Sequence, residues 1–173
     1  MSRPLPLLLL LLSALPLSAL ATTVRPATRA ELASGSDQVV RARVVAQRAA
    51  RSERSGRPLT VSALKTLETY RGTLSGDFEI EQLGGALEGT RFQVPGDARL
   101  EIGEEAVFFL RCAGKPRCRI LGLGLGKYAV RREADGRLVA VRDARGLRDP
   151  SGRPLQVDAV ALETLARELR GAR

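Results

Sequence analysis

From residue 37 onward, valine, alanine and leucine alternate with arginine, glutamine and glutamate, the two-residue period of strands that bury one face. Asp37 to Gln47, DQVVRARVVAQ, places Val40, Ala42 and Val44 on one side and predicts a first strand. Ala50 to Pro58, ARSERSGRP, is polar and carries Gly56 and Pro58, so a solvated hairpin loop follows. Leu59 to Gly72 is mixed. Val61, Leu64 and Leu67 recur at helical spacing, whereas Thr60, Val61, Thr66 and Thr69 favour a strand, and the flanking strands decide for the latter. In Gly76 to Gly85, Phe78 and Ile80 alternate with Glu79 and Glu81. Gly84, Gly85 and Gly89 mark a turn-rich passage into Arg91 to Val94, and Pro95-Gly96 and Ile102-Gly103 bracket a loop. Glu104 to Cys112 is apolar on both faces, as a central strand is. The strand pattern resumes at Cys118, and Asp135-Gly136 is a two-residue hairpin signal between KYAVRR and LVAVR.

Two segments break the pattern. Thr28-Arg29-Ala30-Glu31 has the spacing of a capping box and predicts a short helix from Arg29 to Ser34, ended by Gly35. At the other end, Asp158 is placed to cap a helix over 158–170 whose Val160, Leu162, Leu165, Ala166 and Leu169 form an apolar stripe. Short, regularly spaced antiparallel strands flanked by two helices predict a mainly β chain, with the sheet closed or nearly closed into a barrel.

The first residues read differently. Arg3, the apolar run from Leu5 to Leu12 and the small-x-small site Ala19-Leu20-Ala21 have the form of a signal peptide, and Pro16 breaks a stretch too short for a bilayer span. The expected organisation is a signal peptide over 1–21, an N-terminal segment with a short helix over 22–36, a β-barrel domain over 37–145 and a C-terminal segment over 146–173. Export to the periplasm or beyond the cell follows, without a transmembrane anchor after cleavage.

The net charge is +9, and all basic residues but Lys65, Lys115 and Lys127 are arginines. A basic stripe at Arg41, Arg43, Arg48, Arg51 and Arg54 could face a polysaccharide or nucleic acid. The six aromatics, several of them in apolar runs, give little platform for stacking bases, so nucleic acid is the less expected polyanion. The chain has no histidine, which removes the commonest general base. Two cysteines without histidine cannot supply the four ligands of a structural zinc site. If Cys112 and Cys118 end paired strands, they meet across a hairpin turn as a disulfide.

Three motifs invite a catalytic or nucleotide reading and fail on spacing. GLGLGK, Gly122 to Lys127, has Leu121 where a phosphate-binding loop needs its first glycine and Tyr128 where it needs a hydroxyl. It reads instead as a kinked strand, with Leu121, Leu123 and Leu125 on one face. Ser62 and Lys65 in SALK need a helix to meet, and the segment reads as a strand. The pairs Glu79 with Glu81 and Glu104 with Glu105 have no predicted cleft beside them, and the first reads as a solvated strand face. No cofactor, metal or nucleotide is expected, and no catalytic residues.

The ordered segments SDQVVRARVVAQ, LTVSALKTLETYRG, GDFEIEQLGG, PGDARLEIGEEAVFFLR and LGLGLGKYAV, from Asp37 to Val130, together resemble a group of exported bacterial proteins. The same order of elements is similar to the netrin-like domain of the tissue inhibitors of metalloproteinases, with Asp37 to Ala46 as first strand and Tyr70-Arg71-Gly72 as a strand-ending turn. That resemblance implies a small OB-like antiparallel barrel with a binding face for protein partners. Those inhibitors use an N-terminal cysteine on the protease zinc, and a mature chain starting near Thr22 lacks one. The expected function is therefore a non-enzymatic binding module for a protein or another component of the bacterial envelope. A polyanion-binding module is the alternative, ahead of a secreted hydrolase or a protease inhibitor.

Overall fold

The computed structural model describes residues 22–112, 117–142, 144 and 146–171; the expected signal peptide, 1–21, lies outside them. The chain begins with β1 (Thr22–Thr23), α1 (Arg29–Gly35), β2 (Gln38–Arg51), β3 (Pro58–Arg71), β4 (Asp77–Leu87) and β5 (Thr90–Gln93). It continues through β6 (Glu105–Arg111), β7 (Arg117–Ile120), β8 (Lys127–Arg132), β9 (Leu138–Arg142), β10 (Leu147–Arg148), β11 (Asp158–Ala161) and α2 (Leu162–Gly171). The protein is thus mainly β, and the strand expected over Leu59 to Gly72 is β3.

The main sheet runs β11-β9-β8-β6-β2-β3-β4-β5, and β7 bridges β4 and β6. That bridge turns β2, β3, β4, β7 and β6 into a ring. The β4–β7 contact is parallel and short, pairing Glu79 with Arg117 and Ile80 with Cys118; β6 and β7 are antiparallel. Outside the ring, β8, β9 and β11 extend the sheet beside β6.

Two apolar cores share the walls of this sheet. Val40, Ala42, Val44, Leu64, Phe78, Ile80, Ala106, Phe108 and Leu110 fill the ring. On the opposite face Val39, Tyr70, Val107, Phe109 and Tyr128 pack beneath Leu32 of α1 and Leu162, Leu165 and Leu169 of α2. Alternation along β6 sends Phe108 into one core and Phe109 into the other, which is why this segment is apolar at every interior position. Register shifts in β2 at Val39/Val40, Arg41/Ala42 and Val44/Ala46 coil the long β2–β3 hairpin, so it can wall the ring and still carry the helices. The capping box of α1 forms as expected, with Thr28 and Glu31 satisfying each other's backbone amides.

Cys112 and Cys118 form a disulfide beside the β6–β7 pairing. The turn between them, 113–116, lies outside the described residues. Three local expectations are corrected. Asp158 does not cap a helix: Asp158–Ala161 pairs with Val139–Arg142 of β9, and the helix starts at Leu162. Val160 suits a strand better than a first helical turn, and the open edge of β9 overrides the helical preference of Ala161. GLGLGK is not a strand: Gly122 is left-handed and Leu123–Gly126 is a 3₁₀ turn. A Cβ on Gly126 would run into the Leu121 carbonyl, so glycine permits this fold-back. The hairpin at Asp135-Gly136 is present, but Glu133 and Arg137 close it around three residues, with Gly136 left-handed.

Candidate binding groove

Where β4 leaves β3, the ring opens into a groove. β4 pairs with β3 up to Leu83 and with β5 from Gly84 onward. Gly84 and Gly85 have φ of 120° and 132°, a region that favours glycine, and a Cβ on Gly85 would lie 2.9 Å from the Thr60 Oγ1. These two residues bend β4 away from the ring. The opening, about 330 Å³, is bounded by Gln47, Thr60, Gln82, Leu83, Phe92 and the segment from Gln93 to Glu101.

From Val94 that segment is a strap without regular structure, and side chains fix it in place. The Gln47 amide donates from Nε2 to the Leu100 carbonyl at 3.1 Å and to Ser62 Oγ at 3.0 Å. Gln82 donates to the Ala98 carbonyl at 2.7 Å. From the other side the Gly124 amide donates to the Gly96 carbonyl at 2.9 Å. Lys127 donates to the Arg99 carbonyl and pairs with Glu104. The glycine loop that resembled a phosphate cradle therefore anchors the groove wall.

Asp97 sits on this wall, and its carboxylate accepts the Ala98 amide at 2.8 Å. Burial pushes its carboxyl above the ordinary range, against the pull of the Ala98 N–H and the Gln82 amide. Thr60 donates to the Gly84 carbonyl, and Arg57 stacks over Phe92 with its guanidinium carbon 4.9 Å from the ring centre. Leu83 is exposed at the rim.

Four of the five arginines of the expected basic stripe face carboxylates of the same chain. Arg41 and Arg43 both reach Glu105, and Arg41 also faces Glu68. Arg48 holds Glu79 at 3.0 Å, and Arg51 pairs with Glu88. Arg54 is exposed in the hairpin turn. The carboxylate pair on β4 has a structural use: Glu79 joins Arg48 to Arg117, and Glu81 holds Arg119 at 2.8 Å. These contacts clamp β7 to β4 from outside the ring. The Arg48 hydrogen bond, helped by Arg117, holds the Glu79 carboxyl below its ordinary value. Ser62 is buried and Lys65 exposed, on opposite sides of β3, so they do not meet.

A second cleft, about 510 Å³, lies on the helix side among α1, β9, β11 and α2. Its charges pair with one another, although the buried Arg142 Nε has no hydrogen-bond partner among the described residues. Arg29 bridges Asp158 at 2.8 Å and Glu168 at 2.8 Å, the Tyr128 hydroxyl donates to Asp158, and Arg142 donates to the Ala27 carbonyl. It works as a strut between the helices and the sheet.

No protein-family model and no curated protein matches the chain. Sequence patterning passed over Gln47, Gln82, Asp97 and Glu101, because glutamine in a strand and carboxylates in a loop ordinarily mean solvated positions. The only available signal was the double glycine at 84–85.

Proposed function

We propose that the chain is a non-enzymatic binding module exported to the bacterial envelope, built on an OB-like barrel, and that its partner docks in the strapped groove. The observation that carries this reading is the groove itself, an opening held in shape by glutamine side chains, a lysine and a glycine bend. The ring order β2-β3-β4-β7-β6, with its one parallel contact, supports the OB-like and netrin-like reading. OB-type barrels bind ligands over their second and third strands, here β3 and β4, and those strands supply Thr60, Gln82 and Leu83 to the groove. The Cys112–Cys118 disulfide suits an oxidising compartment. Among the described residues no helix is long and apolar enough to cross a membrane. The polyanion alternative draws no support from Arg41, Arg43, Arg48 and Arg51, whose guanidinium groups face carboxylates of the same chain.

A photo-crosslinking residue at Leu83, compared with one at the exposed Leu67 on β3, tests the site in an envelope fraction. A discrete adduct from position 83 and none from 67 is expected. Equal labelling from both positions, or none from 83, would remove the groove as the docking site.

A further inference from the structure

The groove's polar groups are unbalanced in a way that specifies its ligand. A side-chain amide can satisfy a carbonyl only through its nitrogen, so the contacts of Gln47 with Leu100 and of Gln82 with Ala98 fix both amide orientations. The Gln47 nitrogen gives its second proton to Ser62, and the Gln82 amide also leans on Asp97. Thr60 donates its hydroxyl proton to the Gly84 carbonyl. The donors of these three side chains are engaged by the fold, whereas the exposed Gln93 and Arg99 at the rim keep side-chain donors with no acceptor among the described residues. What remains around Asp97 is the Oε1 of Gln47 and of Gln82, neither of which meets a donor among the described residues, together with the carboxylates of Asp97 and Glu101.

Those carboxylates stand apart from most in the chain. Glu68, Glu79, Glu81, Glu88, Glu104 and Glu105 are each held by an arginine or lysine. Asp97 and Glu101 form no ion pair among the described residues, although the chain carries an excess of arginine and Arg99 lies between them on the strap. Arg99 is exposed, and only its carbonyl is fixed, by Lys127. Glu101 is exposed, but Asp97 is partly buried, and burying a carboxylate without a cation costs free energy unless a charged partner arrives with hydrogen bonds. The upward shift of the Asp97 carboxyl expresses that cost. The net charge of +9 repels cations only at long range, and salt at physiological strength screens that field beyond about 8 Å.

Resting on the groove as the docking site, we infer that it takes the ammonium or guanidinium group of a basic peptide segment, with Asp97 as the anchoring carboxylate and the two glutamine carbonyls as further acceptors. Asp97 then carries a cost in the free protein that the ligand relieves.

The test uses blocked pentapeptides of alternating glycine and arginine, with glutamine and glutamate versions as matched probes, titrated into the labelled full chain and followed by backbone amide shifts. The arginine peptide is expected to move the amides of Gln82, Gly85, Ala98 and Glu101. Asp97→Asn should weaken it by at least tenfold while leaving the melting temperature at or above the parent's, and Glu101→Gln should weaken it less. The melting curve separates lost binding from lost folding. If the glutamine or glutamate peptide binds the groove as well as the arginine peptide, or Asp97→Asn leaves affinity unchanged, the cationic ligand is wrong and the groove survives. If none of the three peptides moves a groove amide, both the ligand and the docking site are wrong.

Discussion

The two clefts of this molecule contain similar side chains put to opposite uses. In the helix-side cleft every carboxylate meets a guanidinium: Arg29 bridges Asp158 and Glu168, and Tyr128 adds a hydroxyl to Asp158. In the groove beside β4, Asp97 has an amide for a partner and no cation among the described residues. The first arrangement joins α1, β11 and α2 to the sheet. The second leaves charge uncompensated where the ring of strands opens to solvent.

Removing the hub of the closed network should have the largest effect. Asp158→Ala takes the acceptor from the Tyr128 hydroxyl and a carboxylate from Arg29 and Arg142, which keep only Glu168 and the Ala27 carbonyl, and since the site is only partly exposed, a loss of about 2–3 kcal/mol is expected in denaturant unfolding. The disulfide is independent of both clefts. Cys112→Ser with Cys118→Ser frees a short loop and should cost about 2 kcal/mol without shifting the groove amides, because the β4–β7 contact keeps its Glu79 and Glu81 clamps. Tyr128→Phe removes one hydrogen bond to a carboxylate and should cost about 1–2 kcal/mol.

Alkaline pH gives a subtler comparison. Burial pushes the Tyr70 and Tyr128 phenols well above their ordinary value, so the folded state keeps protons that the unfolded chain releases near pH 10. Their contribution to stability is whole below that pH and is lost as the pH rises toward the folded-state values. Urea midpoints should therefore fall from about pH 10 upward, and Tyr128→Phe should flatten the fall. At the acid end the Asp97 carboxyl works in the same sense at lower pH: its folded-state value is raised, so its protonation favours the folded state as the pH drops.

Much of the fold was legible. Alternation in Asp37 to Gln47 and Gly76 to Gly85 marked β2 and β4, and the doubly apolar Glu104 to Cys112 announced a strand between two cores. Thr28 and Glu31 gave α1 because a capping box acts within one helical turn. The errors lie where distant partners decide. Asp158 has an N-cap's chemistry but is taken by Arg29, 129 residues away, and by the edge of β9. Glycines in GLGLGK permit both a kinked strand and a folded-back turn, and the choice depends on the contact between Gly124 and Gly96. The groove was the least legible feature. Gln47 and Gln82 are ordinary strand residues until the strap from Val94 to Glu101 lies across them.

The division between the two clefts is tested most directly by melting Asp97→Asn and Asp158→Asn side by side with the parent protein at neutral pH. If the groove is held open for a ligand and the helix-side cleft for the fold, Asp97→Asn melts at or above the parent temperature and Asp158→Asn melts clearly below it. A drop for Asp97→Asn as large as that for Asp158→Asn would mean that both carboxylates serve the fold, and the groove would lose its claim as a binding site.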